Sequence, residues 1–305
     1  MAIPTSRAKS KAKIKIHREK CTGCGLCVSV CKDFSLKLKD NKVEINEQNL
    51  FGCIGCGHCM AICPAEAIKI YGRTLTPDDI FTLPSRDKAA DYKQLLALYQ
   101  RRRSIREFSG QSVEKEKINK IIKAAKNSPM GLPPSDVNLL VLDNKDKSRK
   151  FAKDFCKYLD NIKWLVSKWF LTLMRPFWGK TNDELFREFV RPAINAFIKN
   201  MKAGKNIITY DAPLVMYFYS SPYSDPADPI IAATFAMLAG ESLGLGTCML
   251  GSIHPLIQYG SKAKKFRAKY SIKYKSREGL FVIFGYPAVE YDKGIKRSFA
   301  SITRA

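Results

Sequence analysis

The sequence predicts an α+β protein of two unequal units: a small cysteine-dense module of short strands, then a larger domain of long helices around a few buried strands. Three observations carry this. Eight of the ten cysteines fall between Cys21 and Cys63. Apolar residues alternate in short runs around them, the spacing of strands. Beyond residue 90 the apolar spacing becomes helical, broken by three predominantly apolar strand-length runs.

In the module, Ile14 and Ile16 alternate with lysines, and Leu36–Leu38 and Val43–Ile45 flank an Asp40-Asn41 turn, the pattern of a hairpin. Ala67 to Tyr71 adds a further strand. A linker with Pro77, Pro84 and Ser85 follows without periodicity. The expected division is residues 1–75, a linker at 76–90, and a domain at 91–305. In that domain Tyr92 to Arg103 has helical spacing. Ser112 is the expected N-cap of a helix running to Lys126, with Glu114 and Glu116 suited to its positive end. Val137–Leu142, Leu214–Tyr219 and Leu280–Phe284 read as buried strands, and Ile230–Leu243 as a buried central helix.

Composition narrows the partners. With 52 Lys+Arg against 28 Asp+Glu, the formal charge is +24, a field that attracts anions of any kind. No nucleic-acid-reading motif accompanies it, so nucleic acid is not the expected partner. The first twenty residues are basic and lack an apolar secretory core. The apolar stretch from Trp164 to Trp178 is broken by Lys168 and Arg175 and is too short to span a bilayer. A cytoplasmic protein without a membrane span is expected, in which clustered cysteines signify metal or redox chemistry rather than disulfides.

The cysteines form two copies of one pattern, Cys21-x2-Cys24-x2-Cys27-x3-Cys31 and Cys53-x2-Cys56-x2-Cys59-x3-Cys63-Pro64. Three closely spaced thiolates hold three corners of an iron–sulfur cubane, and intervening glycines let the backbone wrap it. In bacterial two-cluster ferredoxins the fourth cysteine serves the other cluster. On that rule Cys21, Cys24, Cys27 and Cys63 bind one 4Fe–4S centre, and Cys53, Cys56, Cys59 and Cys31 the second. Structural zinc prefers separated pairs of ligands, and two four-cysteine runs argue against it. Lys32 stands where the second run has its proline. His58 lies inside the second run, where the thiolate positions are already filled, and reads as a surface residue.

Four segments of the larger domain resemble the nitroreductase family of FMN enzymes, in family order. Arg101-Arg102-Arg103-Ser104-Ile105-Arg106-Glu107-Phe108 resembles its opening signature, and Asp211-Ala-Pro-Leu-Val-Met its central strand. Ala239 to Gly251 resembles the helix-to-loop element under the flavin. Phe284-Gly285-Tyr286-Pro287, followed by Lys296-Arg297, matches the terminal pattern. From the residues alone, the arginine run suits a phosphate, through planar bidentate donation, and equally suits a solvated face.

The resemblance implies a ferredoxin–nitroreductase fusion: a two-cluster ferredoxin domain ahead of an α+β FMN domain, assembled as a homodimer with FMN at the subunit interface. By position, Arg102, Arg103, Ser104, Lys296 and Arg297 would hold the FMN phosphate and ribityl. Arg106 would lie near the N1/O2 edge of the ring, where a cation favours negative charge. The amides around Leu250 and Gly251 would face the N5/O4 edge. The loop from Ser128 to Ser135, with Pro129, Met130 and Gly131, would reach the partner subunit's flavin. Many relatives carry Asn and Gln where Pro133 and Ser135 stand, so contacts here pass through backbone and Ser135.

The expected activity is passage of electrons from two clusters to FMN and on to a small organic acceptor, nitroaromatic or quinone-like. An acidic, low-potential carrier such as ferredoxin or flavodoxin is the expected donor. It would be steered by seven basic residues in the first twenty positions and eight more from Lys262 to Arg277. Direct reduction by NAD(P)H is the rival enzyme reading, although no dinucleotide fingerprint is present. A non-enzymatic electron-transfer or redox-sensing adaptor is the other rival. Cys248 reads as a small buried residue. The aromatic segment at 164–178 suits an aromatic-binding pocket, core or dimer packing, or a membrane-surface helix.

Overall fold

The computed structural model describes residues 3–304. In the module, β1 (Lys13–Ile16) pairs antiparallel with β4 (Ile68–Tyr71), and β2 (Leu36–Lys39) with β3 (Lys42–Ile45). Asp40 and Asn41 both take left-handed φ, 49° and 54°, the pair of positive angles a two-residue hairpin turn needs. Two short helices, α1 (Leu26–Val30) and α2 (His58–Ile62), each begin after the second cysteine of a run and contain the third. Leu36, Val43, Ile68 and Ile70 form the small core.

The larger domain is a three-layer sandwich. Its sheet has the order β5-β6-β8-β7, from β5 (Val137–Leu142), β6 (Leu214–Ser220), β7 (Gly246–Leu250) and β8 (Gly279–Gly285), with every pair antiparallel. The two inner strands, β6 and β8, are buried throughout. Side chains alternate across a strand. Val215, Tyr217, Tyr219, Phe281 and Ile283 therefore meet one helical layer, and Leu214, Met216, Phe218, Val282 and Phe284 meet the other. The first layer holds α5 (Lys145–Ile162), α7 (Arg191–Lys202), α9 (Ile253–Leu256) and α10 (Ser261–Lys269). The second holds α4 (Lys115–Ala125) and α8 (Asp228–Ser242). α3 (Tyr92–Arg101) and α6 (Lys168–Leu185) complete the domain.

The three predicted strands and the central helix are present. Two boundaries and one element differ from expectation. α4 begins at Lys115 behind Glu114, not at Ser112; Val113 is buried, and seating it in the core keeps the chain extended past the serine. α3 ends at Arg101, since Arg102 has a non-helical backbone. The stretch after α8, expected as a loop, turns at Gly244 (φ 78°) and becomes the edge strand β7. No described helix is long and apolar enough to cross a membrane.

Candidate electron-transfer and flavin site

Each cysteine run is bent by left-handed glycines. Gly23 and Gly25 have φ of 77° and 74°, and Gly55 and Gly57 of 71° and 77°. A Cβ on Gly23 would lie 2.3 Å from the Asn41 carbonyl oxygen, so only glycine fits there. The bends cross the two runs. Cys21, Cys24, Cys27 and Cys63 line one cavity, while Cys31, Cys53, Cys56 and Cys59 line another of about 260 Å³. These are the two sets of four expected from the swapped fourth ligand.

The donor set suits iron–sulfur clusters. Burial pushes the Cys59 thiol up to about 12, with the neighbouring sulfurs adding to the shift, and also pushes Cys27 and Cys53 up. Such sulfurs resist existing as free thiolates, and bound metal charge removes the resistance. Backbone amides already point at sulfur: Val43 N–H donates to Cys21 Sγ at 3.5 Å, which holds that thiol below its usual range, and Ala67 N–H to Cys63 Sγ at 3.3 Å. Among the described residues no group of three or more His, Cys, Asp or Glu converges on a single ion. The sulfurs ring volumes instead of a point.

The two cavities differ in their outer walls. Only module residues line the first. The second is closed by Met130, Gly131 and Pro133 of the larger domain, with exposed His58 on its rim. The module is fastened at this seam by hydrogen bonds. Arg73 Nη2 donates to the Pro133 carbonyl at 2.8 Å, and Arg7 Nη1 to the Ser135 carbonyl at 3.0 Å. The Ser6 amide donates to the buried Asp136 carboxylate at 2.9 Å, which also accepts from the hydroxyls of Ser6 and Ser221. Ser135 is thus occupied locally, its hydroxyl accepting from Val137 N–H at 3.4 Å.

The arginine run is laid along the outer edge of β7. Ser104 bridges Thr247 in parallel, and Ile105 N–H donates to the Thr247 carbonyl at 2.9 Å. Ile105 packs so closely on Gly246 that a Cβ there would sit 2.7 Å from it. Arg102 and Arg103 are half-buried, and Arg106 is exposed with its guanidinium 5.7 Å from the Tyr210 ring centre. Burial pushes Glu241 up, against the pull of Arg102, Arg101 and Arg103. The tail crosses the same place: a Cβ on Gly294 would lie 2.5 Å from the Arg103 guanidinium, and exposed Lys296 and Arg297 follow within three residues. Leu250 ends β7, and Gly251 beyond it faces open space. Thr247 Oγ1 is fully buried without a hydrogen-bond partner. A concave, arginine-rich edge with an open glycine suits a phosphate-bearing cofactor.

The Pro129–Gly131 loop lies elsewhere. Gly131 N–H donates to Asp228 Oδ1 at 2.9 Å, at the first residue of α8. The arginines meet Glu241 at the last turn of that helix. The fifteen residues of α8 separate the two by about 20 Å at 1.5 Å per residue. Within one chain they do not form a single site. Cys248 is buried and its thiol is pushed up by burial, the environment of an inert residue. The aromatic segment is core only in part, through buried Val166 and Leu171. Trp164, Trp169, Leu173 and Phe177 are exposed, as are Phe189 nearby and Ile295, Phe299 and Ile302 of the tail.

Arg73, Asp136, Asp228 and Gly294 escaped the sequence reading. Each acts through a partner at least sixty residues away, and none sits in a recurring local pattern.

Comparison with known proteins agrees with this anatomy. The model of the nitroreductase family matches residues 99–286, and that of the 4Fe–4S dicluster domain matches residues 13–64. A nitroreductase with bound FMN from Bacteroides fragilis NCTC 9343 superposes with a TM-score of 0.51 at 16% identity, covering 69% of this chain and 99% of that one. A nitroreductase with bound FMN from Desulfitobacterium hafniense DCB-2 gives 0.49 at 19% identity, over 69% and 97%. An FMN-dependent nitroreductase from Clostridium difficile R20291 gives 0.46 at 17%, over 70% and 100%. No curated protein matches the chain.

Proposed function

We propose, for a chain that belongs to the nitroreductase family and carries a 4Fe–4S dicluster domain ahead of it, that it is a flavin-dependent oxidoreductase fed with single electrons through its own ferredoxin module. When bound, the two clusters pass electrons singly and FMN collects them as a pair for an organic acceptor, nitroaromatic or quinone-like. The observation that carries the reading is the crossed arrangement of the cysteines, with one of the two sets walled by the larger domain's Met130–Pro133 loop.

The residues divide the work as follows. Cys21, Cys24, Cys27 and Cys63 hold one cluster; Cys31, Cys53, Cys56 and Cys59 hold the other. Arg102, Arg103, Ser104, Lys296 and Arg297 bind the FMN phosphate and ribityl, Arg106 faces the N1/O2 edge, and the amides at Leu250 and Gly251 face N5/O4. Pro129, Met130, Gly131 and Ser135 complete the flavin site of a second copy. Two observations favour that homodimer: the helix-length separation of the two half-sites, and the uncovered apolar surface of the aromatic segment and tail. The domain limits are 1–75 and 91–305, joined by 76–90.

The donor is an acidic, low-potential carrier of the ferredoxin or flavodoxin class, drawn by the basic N-terminus and the Lys262–Arg277 stretch. Anaerobic turnover with reduced ferredoxin and with NADH, side by side, tests this. Ferredoxin is expected to reduce the flavin quickly. Its rate should fall with salt, as the Debye length shrinks from about 10 Å at 0.1 M to about 3 Å at 1 M. A rate indifferent to salt removes the steering. Fast reduction by NADH of a chain lacking residues 1–75 removes the donor assignment.

A further inference from the structure

Arg73 is a buried cation with no anion supplied by its own surroundings. It is 6% exposed. Its guanidinium donates to three backbone carbonyls: Ile54 at 2.8 Å through Nε, Ser10 at 3.0 Å through Nη1, and Pro133 at 2.8 Å through Nη2. The first lies inside the second cysteine run, the second in the N-terminal segment, and the third in the larger domain. Among the described residues Arg73 forms no ion pair within 4.0 Å, and the ionisable group it faces is Cys53. Buried charges are ordinarily paired, because desolvating one alone is strongly unfavourable. A thiolate-ligated cluster at Cys31, Cys53, Cys56 and Cys59 is the missing anion.

The backbone indicates that the side chain is the reason for the residue. Arg73 and Thr74 take φ of 53° and 63° in the Gly72–Leu75 turn, a region that a Cβ disfavours. Glycine or asparagine would sit there more easily. The first half of the module provides the contrast. Its counterpart contact, behind Gly23, is made by neutral Asn41, whereas Gly55 packs on Arg73. The first half has its own cations, exposed Arg18 and half-buried Lys42, whose ammonium donates to the Cys21 carbonyl, but both reach water, where salt screens them, and neither ties the module to the larger domain.

We propose that Arg73 is a positioning residue that latches the second cluster onto the Met130–Pro133 loop and holds a fixed positive charge beside it, making that cluster the exit of the module. The inference rests on the two-cluster reading above. The step moves one electron and no atom. The electron comes from the ferredoxin-class carrier, passes the Cys21/24/27/63 centre, and leaves the Cys31/53/56/59 centre for FMN. A positive charge buried beside a cluster favours its more negative, reduced form, which raises that cluster's potential and draws the electron toward the seam.

The test is a redox titration of the full, anaerobically purified chain, followed by electron paramagnetic resonance, with stopped-flow reduction of FMN alongside. In Arg73→Gln one cluster should fall in potential by about 59 mV, a tenfold shift for a one-electron couple, while the other stays in place. FMN reduction should slow about tenfold with it. Cys24→Ala, combined with Arg73→Gln, identifies the shifted centre as the one that survives. Arg73→Lys keeps the charge without the fork that reaches Pro133. It should restore the potential and leave the slow transfer, and it carries the test if the glutamine variant loses its cluster. Unchanged potentials in Arg73→Gln, a shift confined to the other cluster, or wild-type transfer in Arg73→Lys would each overturn the proposal. A wild-type chain without two clusters would instead fail the reading beneath it.

Discussion

The two cysteine runs share a backbone and differ in what stands behind them. Each bends through two left-handed glycines and leads into a five-residue helix. Cys27 and Cys59, the equivalent third ligands, are both buried. Cys24 and Cys56, the equivalent second ligands, are both exposed, and the difference lies beyond them: exposed Arg18 and half-buried Lys42 stand beside the first set. The second is roofed by Met130, Gly131 and Pro133 and flanked by a buried arginine. Internal repetition gives two equal sets of ligands; on the proposed route, direction would come from the unequal surroundings. A duplicated module would then become a conductor with an entrance and an exit by changes outside the repeat.

The sharpest way to break this comparison is to remove one ligand from each half. Cys24→Ala and Cys56→Ala should each lower iron from about eight to about four per chain. Donor-driven reduction of FMN should stop in Cys56→Ala and persist, slowed, in Cys24→Ala, whose second cluster still meets the seam. Iron analysis and stopped-flow absorbance decide it, and equal rates in the two variants would erase the distinction.

A second variant separates the conductor from its terminus. Arg103 and Arg297 lie with the arginine edge, a helix length from the seam of the same chain. Losing two charge-assisted contacts worth about 1.5–3 kcal/mol each should weaken FMN about 10²–10⁴-fold. Arg103→Ala/Arg297→Ala should therefore release FMN on filtration while cluster absorbance stays whole. Full retention of FMN would sink the arginine assignment.

The smallest expected effect is a control remote from both. Burial would push Asp154 up, but Lys269 at 2.7 Å, the Tyr270 hydroxyl at 2.6 Å and Lys150 at 3.1 Å outweigh it and hold the carboxyl at about 2. Its folded value thus lies below the unfolded one of about 3.9, so the stabilisation is fully present above that value and lost only as pH falls toward 2. Asp154→Asn should cost about 1 kcal/mol after discounting its half-exposed lysine partners. The loss should be the same at pH 5 and pH 8 by urea unfolding, with iron and FMN unchanged. A difference that vanishes by pH 5 would contradict the assigned shift.

Legibility in the sequence followed locality. The cysteine sets were readable because their ligands, glycines and helices fall within eleven residues of each run, and the hairpin turn between them because Asp40-Asn41 is a local signal. Strands β6 and β8 showed as continuous apolar runs, and β5 as one broken only by Asn138, because both faces of the sheet are covered. β7 did not, since it opens on Gly246-Thr247, which carry little apolar signal, and its outer neighbour is the arginine segment. The seam was hidden for a similar reason. Arg73 to Pro133 and Ser6 to Asp136 join residues 60 and 130 apart, and a lone buried arginine in a left-handed turn resembles any other lysine or arginine in a chain with 52 of them.

The stretch from Thr76 to Asp91 holds only two short 3-10 turns, at Pro77–Asp79 and Arg86–Lys88, but it keeps the module on the same polypeptide as the loop it abuts. A free ferredoxin must find its flavoprotein by diffusion, at a frequency set by how much of both is present. A tethered one is held near its target at an effective concentration in the millimolar range for a short flexible connection. On the proposed route the two steps divide kinetically. Loading from an outside carrier would be bimolecular and open to competition, whereas discharge across the seam would stay inside one homodimer and be indifferent to dilution while the two copies remain together. Scarcity of the protein would then limit how often it is charged, but not how fast each dimer empties.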